Sequence, residues 1–141
     1  MSCVGHIQHS MWTHPRDRFI NSDTLEYWQN LARIAGCGLL NGIFLATIVG
    51  VCDVYKDSPA ASIINTVQIP INDPMLVVPG MAAMISNIGF GAASNLTYEP
   101  PYLFSSPASA LDYLIGGSVG WNIITGYLAS AGAEHRKRRR N

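Results

Sequence analysis

The chain has 141 residues, enough to bury one hydrophobic core, and its formal net charge is zero. Apolar residues make up 48% of it and charged residues only 13%, against about 25% charged in a typical soluble domain. This low charged fraction indicates a segment of a larger protein, in which other elements cover some of its faces. Five of the nine basic residues lie in residues 136–140. The rest has 4 basic against 9 acidic residues, which excludes a polyanion-binding body.

The cysteines Cys3, Cys37 and Cys52 have no paired spacing that would suggest zinc, and no secretory signal precedes them. They predict reduced, buried thiols in a cytoplasmic protein. The longest apolar run, residues 38–51, is interrupted by Asn41. It falls short of the roughly 18–20 residues needed to span a bilayer, so no membrane segment is expected.

Residues 1–21 lack periodicity and are expected to form an irregular loop. Asp23 followed by Glu26 resembles a capping box, with Asp in place of the usual Ser or Thr. A helix is predicted to follow, because apolar residues recur at helical spacing at Leu25, Trp28, Leu31 and Ala35. Gly36 and Gly38 are expected to end it.

A continuous apolar strand is predicted over residues 42–49, of the kind that is buried on both faces. A loop over residues 51–72 should follow. Asp73 and Pro74 form a helix start, with Asp as N-cap and Pro in the first turn. This helix is predicted to run towards Asn87, with a kink or restart at Pro79-Gly80.

The next predicted elements are a strand over 88–94, a helix over 103–115 with Pro107 in its first turn, and a strand over 119–125. Gly116-Gly117 should end the helix. Strands that alternate with helices predict a parallel sheet, in which ligands bind beyond the carboxyl ends of the strands.

Two groups of small or amide side chains fall near strand ends. Ser94-Asn95-Leu96-Thr97 could form a turn that satisfies its own backbone, which the pattern alone favours, or could hydrogen-bond a bound ring or phosphate. Trp121-Asn122, at the start of the last predicted strand, is open in the same way, because an indole commonly fills a core and an Asn commonly caps.

His6, His9 and His14 lack the companion ligands of a metal site, so no metal is predicted. The basic residues 136–140 could bind nucleic acid, but a solvated tail is favoured because no basic face elsewhere supports such a site. The residues by themselves indicate an α/β segment with sites at strand ends and no named reaction.

A set of motifs in order carries a resemblance over nearly the whole chain up to about Ser130. They are Cys3-Val-Gly-His6, Trp12-Thr-His-Pro-Arg-Asp-Arg18, Thr24-Leu-Glu-Tyr-Trp28, Gly42-Ile-Phe-Leu-Ala46, Asp53-Val-Tyr55, Pro70-Ile-Asn-Asp-Pro74, Thr97-Tyr-Glu-Pro-Pro-Tyr102, Leu111-Asp112 and Gly120-Trp-Asn-Ile-Ile-Thr125. Together they resemble the amino-terminal part of the nitrilotriacetate and dibenzothiophene-sulfone monooxygenase family, within the bacterial luciferase-like superfamily.

The resemblance implies an α/β fold that is part of a (β/α)8 TIM barrel, here about three strands with intervening helices. It implies reduced FMN as cofactor, supplied by a separate NAD(P)H-dependent flavin reductase, with O2 and a small organic substrate as partners. Neither nucleic acid nor a membrane is expected as a partner, and assembly into a homo-oligomer is left open. The flavin-lining positions carried over are Thr47, Ala93, Ser94, Asn95 and Asn122, and no catalytic residue is assigned.

The sequence also departs from the family. Thr47 stands where the family has Asp, and a neutral hydroxyl is a weaker acceptor than a carboxylate. A full barrel takes about 250 residues. We therefore expect residues 1–130 to be the amino-terminal part of a truncated barrel domain and residues 131–141 to be a basic, disordered tail.

Three hypotheses follow. The first is a flavin-dependent monooxygenase, the second is a non-catalytic barrel remnant or a mispredicted gene fragment without activity, and the third is an interaction protein that acts through its basic tail. Flavin binding separates the first from the second, and salt-sensitive binding by the tail would support the third.

Overall fold

The computed structural model describes residues 14–16, 21–67, 72–128 and 130–132. The predictions on His6 and His9, on Cys3 and on the basic run 136–140 lie outside these residues. The described residues form four α-helices, three strands and a short 3-10 helix (Tyr55–Asp57), in the predicted alternating order with one α-helix and the 3-10 helix added. The α-helices and strands are α1 (Leu25–Cys37), β1 (Gly42–Leu45), α2 (Ala60–Ile64), α3 (Pro74–Ala82), β2 (Gly89–Asn95), α4 (Pro101–Leu114) and β3 (Val119–Ile124).

The three strands form one parallel sheet in the order β1-β2-β3. Ile43 of β1 is level with Phe90 of β2, and Phe90 is level with Val119 of β3. Parallel neighbours need a crossover connection, which α3 and α4 provide between successive strands. The predicted parallel α/β sheet is confirmed.

One face of the sheet, called here the helix face, carries the core. It presents Ile43, Leu45 and Phe90, which pack in one cluster with apolar residues of the helices. The members from α1 and α3 are Trp28, Ala32, Ala35, Val77, Val78 and Met81. The opposite face, called here the open face, includes Gly91, Ala93, Gly120 and Asn122, because successive residues of a strand point to alternate sides.

The capping prediction for α1 is wrong by one residue. The N-cap is Thr24, whose hydroxyl oxygen accepts the backbone N–H of Tyr27, and its backbone is extended as an N-cap requires. Asp23 precedes the cap and makes no capping bond. The end of α1 follows the prediction, since the helix stops at Cys37 and Gly38 caps it.

The prediction that the first strand is long and buried on both faces is also wrong. Strand β1 stops at Leu45, and its residues alternate between exposed and buried. Ile43 and Leu45 face the core, whereas Phe44 is 47% exposed on the open face. A run of apolar residues indicates burial on two faces only where a second layer covers the sheet, and at β1 the open face is exposed.

Proline positions account for the other differences. Helix α3 continues through Pro79 and ends at Ala82, so it neither restarts at Pro79-Gly80 nor reaches Asn87. Its predicted start is confirmed, because Asp73 accepts the N–H of Met75 at 2.8 Å. Helix α4 begins at Pro101, which places Pro107 in its interior and not in its first turn. As predicted, the chain leaves α4 through Gly116 and Gly117, both at positive φ.

Two further expectations concern exposure. Cys37 is exposed at the end of α1 and Cys52 is half-buried in a loop, so the prediction of buried thiols is wrong for these two. Cys37 lies at a helix end and Cys52 in a loop, and neither belongs to the core cluster. Within the described residues, no helix combines the length and the apolar character needed to cross a bilayer.

Candidate functional site

The candidate site lies on the open face where the strands end. The register places Ala93 of β2 beside Asn122 of β3, and Asn95 beside Ile124. Because paired residues of parallel strands point to the same side, Ala93, Asn95 and Asn122 share the open face. The carboxyl edge of such a sheet is where α/β proteins bind ligands. Three of the five predicted site residues are therefore brought together.

Asn95 ends β2 and is 7% exposed. Its side-chain oxygen accepts the backbone N–H of Thr97 at 2.9 Å, which makes the local turn that the pattern favoured. This bond uses the amide oxygen only. The two N–H groups of the amide donate no hydrogen bond within the described residues. Asn122, one strand away, is exposed and offers a complete amide.

The other two predicted site residues are placed differently. Ser94 is level with Ile123 and alternates to the helix face, where it is 9% exposed. Thr47 lies two residues beyond the end of β1 and is half-buried. It belongs to residues 46–50, which follow the strand without helix or strand structure, so its position depends on loop contacts and not on the sheet.

The glycines of the open face leave part of its backbone bare. A β carbon built on Gly120 would find its nearest neighbour, the carbonyl oxygen of Phe90, at 4.0 Å. One built on Gly91 would lie 2.9 Å from Cδ2 of Phe44, whose ring covers that glycine. Gly91 and Gly120 thus give the open face a floor of bare backbone beside Phe44, in the amino half of the strands. Towards the carboxyl edge, Ala93 is only 5% exposed, and Asn122 beside it offers the hydrogen-bonding groups that a planar ring with nitrogens and carbonyls would need.

The loops after the three strands are joined by side-chain hydrogen bonds that the sequence analysis did not identify. Thr97 accepts the N–H of Gly126 at 2.9 Å, which links the loop after β2 to the loop after β3. The hydroxyl of Ser130 bonds both backbone groups of Val51, in the loop after β1. These partners are far apart in sequence, and no local pattern marks them.

A shallow concavity of about 480 Å³ lies towards the amino ends of the strands. Its lining runs from Gly42, Gly89 and Ser118 to Phe44, Gly91 and Gly120 on the open face. It is widely open to solvent, and amino ends of parallel strands are not where such sheets bind ligands. We therefore place the candidate site at the carboxyl edge.

No group of three or more His, Cys, Asp or Glu side chains is arranged to hold a metal ion in the described part of the chain. The polar groups at the carboxyl edge are amides and hydroxyls. Such groups hydrogen-bond an organic ligand well and are weak ligands for transition metals.

No known protein-family model matches the chain. Among curated proteins, it is 39% identical over 131 residues to a long-chain alkane monooxygenase of Geobacillus thermodenitrificans, a match that covers 93% of this chain and 30% of the relative. It is also 39% identical to a dimethyl-sulfide monooxygenase of Hyphomicrobium sulfonivorans, over 93% of this chain and 27% of the relative. A dibenzothiophene-sulfone monooxygenase of Rhodococcus erythropolis is 32% identical, over 83% of this chain and 26% of the relative.

Solved structures agree with these relatives. The chain superposes on a long-chain alkane monooxygenase with a TM-score of 0.90 at 38% identity, covering 94% of this chain and 31% of that one. It superposes on a riboflavin lyase, solved with modified FMN and riboflavin, with a TM-score of 0.80 at 31% identity, covering 87% of this chain and 28% of that one. The chain thus spans less than a third of the length of the relatives it matches.

The parallel sheet, with helices on one face and small and amide side chains at its carboxyl edge, is a segment of a luciferase-like TIM barrel. Over the segment it spans, the chain is homologous to luciferase-like monooxygenases, among them the long-chain alkane, dimethyl-sulfide and dibenzothiophene-sulfone monooxygenases.

Proposed function

We propose that this chain forms part of an FMN-dependent monooxygenase that inserts oxygen from O2 into a small organic substrate. The observation that carries the proposal is the superposition on a long-chain alkane monooxygenase, at a TM-score of 0.90 over 94% of this chain. The similarity includes the carboxyl edge of the sheet, which is the functional edge of a barrel.

Bound FMN would supply the oxygen chemistry, which amino-acid side chains cannot perform alone. The chain's own contribution would be to hold and orient the ring. The floor and the backbone at Ala93 would lie under the ring, and the amides of Asn95 and Asn122 would donate hydrogen bonds to it. Thr47 would contribute a hydroxyl from the loop after β1, whereas Ser94, on the helix face, would not contact the ring.

The remaining parts of the proposal follow from the family. We propose that FMN arrives in reduced form from a separate NAD(P)H-dependent flavin reductase, and that both proteins act in the cytoplasm, where that reductant is available. Phe44, 47% exposed beside the floor, would help exclude water from the ring. Self-association would cover the sheet edges described below.

A second candidate function, a non-catalytic barrel segment, is favoured by a specific observation. Strand β3 pairs only with β2 among the described residues, and its exposed side chains include Trp121 at 43% and Ile123 at 63%. A barrel closes its sheet and leaves no such edge. If the edge stays open, the floor is not enclosed, and flavin would bind weakly or not at all.

Titration with FMN, followed by tryptophan fluorescence, tests the proposal. We expect saturable quenching with a Kd in the micromolar range for the folded chain. Asn122→Ala should raise the Kd about tenfold, because it removes an amide hydrogen bond to the ring. Asn30→Ala, at an exposed asparagine of α1, is the matched control and should leave the Kd unchanged. A folded chain that shows no quenching would support the non-catalytic candidate.

A further inference from the structure

The loop after β1 has a second anchor at its far end. Residues 46–50 leave the sheet after Leu45, whose pairing with Ala92 is the last rung of the β1–β2 ladder. At Val51 the backbone is held again, because its N–H donates to the hydroxyl oxygen of Ser130 at 3.0 Å. The same hydroxyl donates to the carbonyl oxygen of Val51, also at 3.0 Å. One side chain thus satisfies both backbone groups of one loop residue.

The packing around this contact is close enough to require glycine. Gly50 has φ +108°, a conformation that other residues rarely adopt. A β carbon at this position would lie 2.8 Å from Oγ of Ser130 and 3.2 Å from the β carbons of Leu128 and Ala131. The backbone at residue 50 therefore lies directly against the segment that carries Ser130.

A second serine holds the next residue. The hydroxyl of Ser62, in α2, donates to the carbonyl oxygen of Cys52 at 2.7 Å. Residues 51 and 52 are thus fixed from two sides, by Ser130 and by Ser62. Thr47 lies between the end of β1 and this anchor, where no backbone hydrogen bond to another described residue holds the loop.

We propose that Ser130 is a positioning residue for the flavin site. By clamping Val51, it would hold the loop that carries Thr47 at the carboxyl edge of the sheet, on the β1 side of Ala93. The loop then has two fixed ends about five residues apart, which greatly reduces the number of conformations that Thr47 can sample. A preordered loop binds a ligand more tightly, because less conformational freedom is lost on binding. The role rests on the proposed FMN function.

The test compares the full chain with Ser130→Ala and Ser130→Thr, and with Ser105→Ala as a matched control. Ser105 donates to the carbonyl of Tyr102 within α4, so the control removes a serine hydroxyl that lies outside the site. Two quantities are measured for each variant. They are the hydrogen-exchange rate of the Val51 amide without ligand and the Kd for FMN.

We expect Ser130→Ala to accelerate exchange at Val51 by about tenfold, because it removes both hydrogen bonds of the clamp. Its Kd for FMN should rise about fivefold, with exchange at core amides such as Val78 unchanged. Ser130→Thr keeps the hydroxyl and should restore both values to within about twofold. Ser105→Ala should alter neither.

The other outcomes overturn the proposal in different ways. Unchanged exchange at Val51 would show that the clamp does not hold the loop. Faster exchange with an unchanged Kd would show that the loop is held but does not position the flavin. Global unfolding of Ser130→Ala would assign the residue to stability. If the wild-type chain binds no FMN, the proposed function itself fails and the positioning role fails with it.

Discussion

At the scale of single residues, a glycine permits the contact between the loops after β2 and β3. A β carbon on Gly126 would overlap the ring of Tyr98, so the ring rests on bare backbone at this position. Thr97, the preceding residue, accepts the N–H of Gly126 at 2.9 Å. Thr97 and Tyr98, neighbours in the loop after β2, therefore both contact Gly126 in the loop after β3.

We expect Gly126→Ala to lower the free energy of unfolding by about 1–3 kcal/mol, the range for inserting a methyl group into a packed contact. Urea denaturation measures this. Tyr98→Leu, which shortens the side chain, should remove most of the added cost when combined with Gly126→Ala, because the methyl group would then have space. If the two substitutions are additive, the overlap is not the cause.

The site residues were assigned through the family resemblance, and the structure shows how they are arranged. Ala93, Asn95 and Asn122 were assigned by motif, and the register places them on one face, because strand alternation is a local property that a correct strand assignment determines. Ser94 was assigned with them, although alternation directs it to the helix face. Ser130 and Thr97 could not be found as loop clamps, because their partners are 79 and 29 residues away. Only the fold brings such partners together.

At the scale of elements, helix α1 allows two capping candidates to be distinguished. Thr24 accepts the N–H of Tyr27 and also donates its hydroxyl hydrogen to the carbonyl of Asn21 at 2.7 Å. We expect Thr24→Ala to lower the free energy of unfolding by about 1 kcal/mol, the usual cost of a lost N-cap. Asp23→Ala, one residue earlier, is the matched control and should change it by less than about 0.5 kcal/mol. Equal losses from both variants would contradict this assignment of the cap.

The strands and helices were predicted well where a local signal is strong. Asp73-Pro74 marks a helix start, because Asp caps the helix and Pro suits its first turn. Gly116-Gly117 marks a helix end, because both glycines adopt the positive φ that other residues avoid. The one-residue error at the start of α1 arose because Asp and Thr are both good caps and stand side by side. Pro79 and Pro107 were expected to interrupt or begin helices, yet both lie inside them. Apolar packing of Val78 and Met81 in the core keeps α3 together around its proline.

At the scale of the whole molecule, the described sheet has two edge strands, β1 and β3, and the β3 edge is apolar. Three of the four residues 121–124 are hydrophobic, and Trp121 packs against Phe104 of α4 with ring centroids 4.3 Å apart. Ile123, 63% exposed, has no such partner within the core cluster. An exposed apolar edge strand is a template for pairing with another chain.

We therefore expect the chain to self-associate as its concentration rises, and Ile123→Lys to suppress this, because a charge on an edge strand opposes pairing. Sedimentation velocity over a range of concentrations measures the effect. Ile64→Lys is the matched control, since Ile64 is 79% exposed on α2, away from the sheet edge, and its substitution should leave association unchanged. Equal suppression by both variants would point to net charge as the cause. A wild-type chain that stays monomeric throughout would show that the edge at β3 is protected within the chain itself.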